Sequence, residues 1–177
     1  MTWEGISGAA TVVTTLVIAA TAIAAIVQIR QLKLATQLEG FLALHKEYGS
    51  PEMYAAREYV ATELPKRLLD EKYREELEKG AAFSATHPEL VLGNFWEKVG
   101  TLVSTGLLAP NLYLETGAYR VIEAWEQLTD VIALRRKNEP LQWAGFDHIV
   151  RLSREYLERR GGLAASTAGR EPDAARA

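Results

Sequence analysis

From Gly5 to Ile29 the chain runs 25 residues without one charged side chain. As a helix rising about 1.5 Å per residue, that run reaches roughly 37 Å, more than the roughly 30 Å of a bilayer's hydrocarbon core. In water it would be apolar on all sides with nothing to bury against. In lipid a helix satisfies its own backbone hydrogen bonds, which is the condition for crossing. Ile6, Val12, Val13, Leu16, Val17, Ile18, Ile23, Ile26, Val27 and Ile29 each favour insertion by about 0.3–0.6 kcal/mol near the bilayer centre. Thr11, Thr14, Thr15 and Thr21 can return their hydroxyls to the carbonyl one turn back, which lowers their cost. A cleaved signal peptide carries a basic leader and a shorter apolar stretch, about 7–15 residues. Here the leader is the acidic Met1-Thr2-Trp3-Glu4, although Ala20, Ala22 and Ala24 offer cleavage points. A buried helix of a soluble bundle is the other alternative. The sequence favours a transmembrane helix over residues 6–29, behind a short external N-terminus at residues 1–5.

The flanks set an orientation. No Lys or Arg precedes the run, and Arg30, Lys33 and Lys46 follow it. The positive-inside rule then puts the N-terminus outside and the rest of the chain in the cytoplasm, with Trp3, Arg30 and Lys33 at the membrane interfaces. Ser7, Thr11, Thr15 and Ala19 form a small-residue stripe that would let a second helix approach.

Helical periodicity continues past the run. Leu34, Leu38, Phe41, Leu42, His45 and Tyr48 share one face of a stalk, and Gly49 closes it. Ser50-Pro51-Glu52 reads as a cap, an N1 proline and a first-turn acid, opening a helix that buries Met53, Ala56 and Val60 and ends near Leu64. Residues 66–79 read as one exposed helix stitched by Asp70–Arg74 and Glu75–Lys79, with Leu69, Tyr73 and Leu77 as a thin apolar line. After a loop from Gly80 to His87, Pro88 opens a helix burying Val91, Phe95, Val99, Leu102 and Val103, which Gly106 closes. Leu107–Leu114 reads as a connector. A long helix from about Gly117 to Lys137 buries Val121, Ile122, Trp125, Leu128 and Ile132. The last helix turns Phe146, Ile149, Val150 and Leu157 inward and ends at Gly161-Gly162. The tail, residues 161–177, lacks periodicity and large apolar groups and reads as disordered. No alternating strand pattern occurs. The fold class is all-α: a single N-terminal transmembrane helix continuing into a cytoplasmic helical bundle of about five further helices, residues 30–160.

Composition narrows the function. Twenty Lys and Arg against 23 Asp and Glu leave a net charge of −3, which argues against nucleic acid as a partner. With no cysteine, disulfides, thiolate metal sites and thiol nucleophiles are excluded. Phosphate-binding loops, nucleophile elbows and zinc-binding His pairs are absent as motifs, and His45, His87 and His148 lie far apart in sequence. No catalytic residue, metal or cofactor is expected.

Three segments resemble a known family. These are Ser50-Pro51-Glu52-Met53 with Ala56-Arg57 and Val60; Asn94-Phe95-Trp96-Glu97-Lys98-Val99-Gly100 with Leu102-Val103 and Gly106-Leu107-Leu108; and Trp125-Glu126-Gln127-Leu128 with Ile132 and Arg135-Arg136. In this order, over residues 30–157, they resemble a bacterial, membrane-anchored, all-helical family known only as a domain of unknown function. The resemblance implies a bacterial inner-membrane location. It implies no activity, substrate or cofactor.

One constellation asks for an explanation. Gly93, Glu97, Gly100 and Ser104 share a helix face, and each interior Gly costs about 1 kcal/mol relative to Ala. Close approach of a neighbouring backbone would account for both glycines. It would trap Glu97 at the crossing, in need of a cation such as Arg57, Arg120 or Arg135. The leading expectation is a single-pass membrane protein whose helical domain binds a protein partner or a second copy of itself. The alternatives are a membrane-tethered enzyme with a carboxylate- or metal-based site, and a soluble helical oligomer.

Overall fold

The computed structural model describes the backbone of residues 3–168 and the side chains of residues 14–161. The side chains of Trp3, Ser7 and Thr11 and the chain beyond Ala168 lie outside the described residues. Eight helices and no strand occur among those described: α1 Trp3–Tyr48, α2 Pro51–Thr62, α3 Leu64–Arg67, α4 Glu71–Glu78, α5 Glu89–Ser104, α6 Pro110–Gln127, α7 Thr129–Arg136 and α8 Ala144–Ala168. The fold is all-α, as expected.

The chain divides into two compact units, Met1–Gly40 and Phe41–Ala177. In the first, α1 already begins at Trp3, inside the stretch assigned to an external terminus. From Thr14 onward α1 is long and apolar enough to cross a membrane. Its aliphatic side chains lie bare: Leu16, Val17, Ile18, Ile23, Ile26, Val27 and Ile29 are between 46% and 66% exposed. Thr21 returns its hydroxyl to the Val17 carbonyl at 2.8 Å, as helix chemistry predicts for a hydroxyl in an apolar setting.

The second unit carries the core. The end of α1 enters it through Leu44, which is buried, and through the half-buried Phe41 and Tyr48. Phe41 and Tyr48 thus turn inward as expected, whereas Leu42 and His45 are exposed and Leu44 is buried instead; Leu34 and Leu38, in the first unit, are exposed. The start of α2 matches its sequence signals. Ser50 accepts the Met53 N–H at 3.2 Å, Pro51 occupies the first turn, and Met53, Ala56 and Val60 are buried.

The expected exposed helix at 66–79 is two pieces. Asp70 does not pair with Arg74; it caps α4 by accepting the Lys72 N–H at 2.9 Å. That cap breaks the charged stretch and turns Tyr73 and Leu77 inward, leaving Leu69 exposed. Glu75 and Lys79 do pair. The expected connector at 107–114 is partly helix, because Pro110 serves as an N-terminal proline of α6. The expected single helix at 117–137 breaks at Leu128, whose φ of −96° and ψ of 4° leave the helical region. No breaker residue causes this; the turn buries Leu128 and Val131 completely. Finally, α8 does not end at Gly161-Gly162 but runs on to Ala168. The alanines at 164, 165 and 168 are strong helix formers and offset the glycine pair.

Aromatic rings tie the unit together. Trp96, wholly buried, meets Tyr113 edge-on at 5.7 Å and lies 5.6 Å from Tyr48, while Phe146 packs against both Trp96 and Trp125.

Candidate functional site

The expected close crossing exists, between α5 and α8. A Cβ added at Gly100 would lie 1.7 Å from the Gly145 carbonyl oxygen, so the two backbones touch there. At Gly93 a Cβ would fall 2.2 Å from the Trp143 ring. Trp143 occupies the left-handed region at φ 57°, unusual for a bulky residue. There its indole N–H donates to the Asn94 side-chain oxygen at 3.0 Å. Both interior glycines of α5 are thus explained by what α8 and its lead-in press against them.

Glu97 sits at this crossing, half-buried, but its partner is not an arginine. It accepts the backbone N–H of Phe146 at 2.8 Å. The first turn of a helix presents unsatisfied N–H groups and the positive end of its dipole, and these replace the expected cation.

The three arginines lie elsewhere. Arg135, on α7, stands over the Trp143 ring at 5.8 Å, with Nε and Nη1 buried and without hydrogen-bond partners. Arg57, on α2, and Arg120, on α6, stand over one ring, that of Tyr48, with guanidinium carbons 4.4 and 5.6 Å from its centre. Both line a cleft of about 410 Å³ that Glu58 and Glu123 also border. The structure therefore brings Gly93, Glu97 and Gly100 together, sets Arg57 with Arg120, and stands Arg135 over the Trp143 ring that packs on Gly93, without pairing any of the three with Glu97.

A second polar cluster escaped the sequence reading. Glu89, at the start of α5, is completely buried, and the Tyr73 hydroxyl lies 2.7 and 2.8 Å from its two oxygens, donating to the carboxylate. The Tyr59 hydroxyl is 3.1 Å from that of Tyr73. His87, 1% exposed, stacks on Tyr73 with ring centres 4.3 Å apart, and its Nε2 lies 3.6 Å from a Glu76 oxygen. Burial pushes the Glu89 carboxyl above its ordinary value, against the opposing pull of the Tyr73 hydrogen bond and of the nearby His87 and Arg135. Burial likewise raises the Tyr73 phenol, and its bonds to Tyr59 and Glu89 raise it further. In sequence Glu89 looks like an ordinary first-turn acid after a proline. Only the inward line of Tyr73 and Leu77 hinted that something polar would be drawn in beside them. Among the described residues, no group of three or more His, Asp or Glu is placed to hold a metal ion.

A family model described as Domain of unknown function (DUF4760) matches residues 15–153. The chain belongs to that family. No curated protein and no solved structure matches the chain. The DUF4760 match starts inside the apolar part of α1 and reaches Ser153 in α8, so it takes in the bare helix, the α5–α8 crossing, the arginine cleft and the buried Glu89 cluster.

Proposed function

We propose that this DUF4760 protein is a single-pass membrane protein whose helical domain, following α1, is an interaction module at the membrane surface. One observation carries the reading: from Thr14 to Ile29, α1 is apolar on every side and covered on none. Leu16, Val17 and Ile18 are consecutive, so they point about 100° apart around the helix, and all three are bare. Each such side chain left in water forgoes about 1.5–3 kcal/mol. A soluble oligomer joined along one stripe would cover one of these directions and leave the others wet, whereas hydrocarbon covers all of them. Arg30 and Lys33, just past the apolar run, orient the helix with its N-terminus outside and the domain in the cytoplasm.

The convergence of Glu76, His87 and Glu89 is the arrangement an enzyme reading would look for. However, Glu89 and His87 are sealed from solvent and serve to join α2, α4 and α5. The membrane reading is tested by carbonate extraction of membranes from expressing cells. The chain is expected to stay in the pellet; release into the supernatant would contradict it.

A further inference from the structure

We propose that the cleft around Tyr48, Arg57 and Arg120 binds a small organic anion, with its oxyanion head between the two guanidiniums and its apolar body along the tyrosine rings. The inference is independent of the membrane reading. The cleft, about 410 Å³, falls in the size range of small-molecule sites, roughly 300–1,000 Å³. Its two cations are placed rather than scattered. Arg57 lies between Tyr48 and Tyr54, 4.4 and 5.8 Å from their ring centres, and Arg120 shares Tyr48. Stacking on an aromatic face fixes the plane of a guanidinium and leaves its edge of N–H donors free for an acceptor.

No carboxylate of the described residues lies within ion-pair distance of either arginine. The ion pairs among the described residues use other cations, so neither arginine is in an ion pair, although Glu58 and Glu123 border the same cleft. Arg57 Nε is buried with no hydrogen-bond partner. Sealed in this way, Nε holds the side chain in place, and the Nη groups at the outer edge of the guanidinium are the donors that a carboxylate or phosphate oxygen would meet, with a second oxygen meeting Arg120. The two bordering acids make the cleft inhospitable to an extended polyanion and suit one compact charged head on an uncharged body. Carboxylate and phosphomonoester share this chemistry.

The test uses the full chain in detergent, titrated with phenyl phosphate, phenylacetate and inorganic phosphate. Binding is read by calorimetry and by the side-chain Nε–Hε NMR signals of the arginines. At least one aromatic probe is expected to bind more tightly than inorganic phosphate and to shift the Arg57 signal. Arg120→Gln, a substitution at an exposed side chain, is expected to weaken it by about tenfold or more, equivalent to about 1.4 kcal/mol, while Lys66→Gln on α3 leaves it unchanged. Preference for phenyl phosphate assigns a phosphate head, and preference for phenylacetate a carboxylate. Failure of both aromatic probes to bind, or equal binding by wild type and Arg120→Gln, overturns the proposal.

Discussion

The carboxylate of Glu97, on α5, accepts the backbone N–H of Phe146, in the first turn of α8, at 2.8 Å. An acid on one helix thus caps the start of another, at the point where Gly100 and Gly145 bring the two backbones into contact. The bond and the glycines depend on each other: the cap can be reached only because no side chain holds the helices apart.

Glu97→Ala should remove the cap and destabilise the chain by about 0.5–2 kcal/mol. Glu97→Gln retains an acceptor and should lose only the charge–dipole part, about 0.3–1 kcal/mol. Thermal unfolding of the detergent-solubilised chain, followed by circular dichroism, orders the two variants. Equal losses would mean that the hydrogen bond itself contributes little.

At Gly100 an added methyl has no room. Gly100→Ala should cost about 1–3 kcal/mol or more, because the neighbour it meets is backbone and cannot rotate away. Gly40→Ala, also within a helix but with nothing within 4 Å of the new methyl, should instead stabilise by about 0.5–1 kcal/mol. The same melting experiment reads both signs, and a gain at Gly100 comparable to that at Gly40 would show that helix propensity, not contact, governs these positions.

Glu89 makes a pH-dependent contribution whose sign follows from its burial. Its carboxyl is held above the ordinary value of 4.5. The folded chain therefore keeps this proton in an interval where the unfolded chain has lost it, and the contribution of Glu89 to stability falls as pH rises through that interval. Glu89→Gln removes the titration, so its stability relative to wild type should climb with pH above the ordinary carboxylate value and then level off. Tyr73→Phe should cost about 1–3 kcal/mol and extend the wild-type decline to higher pH, since the ionised carboxylate loses its donor. Melting temperatures across pH provide the check; a constant offset between Glu89→Gln and wild type would contradict the assignment.

Where local chemistry decides, the sequence was readable. Ser50-Pro51-Glu52 opens α2 as its capping signals require, and the interior glycines of α5 announced a tight crossing before any neighbour was known. Tertiary packing decided the rest. The break at Leu128 has no breaker residue; burial of Leu128 and Val131 makes it. The partner of Glu97 is a backbone group, and any residue in the first turn of α8 could have supplied it, so a search for cations could not find it. Asp70 could pair or cap with equal local justification, and the choice of cap is what turns Tyr73 toward Glu89. Arg57 and Arg120 lie on different helices, and only the fold places both on Tyr48.

The absence of cysteine from the chain makes the central claim directly measurable, because any introduced thiol is the sole one. Single variants Thr2→Cys, Ala20→Cys and Lys46→Cys would be exposed to a membrane-impermeant maleimide in intact cells and again after permeabilisation. Hydrocarbon around α1 predicts labelling of Thr2→Cys in intact cells, of Lys46→Cys only after permeabilisation, and of Ala20→Cys in neither. Reaction at Ala20→Cys as fast as at Lys46→Cys would place the apolar helix in water, and the membrane reading would fall.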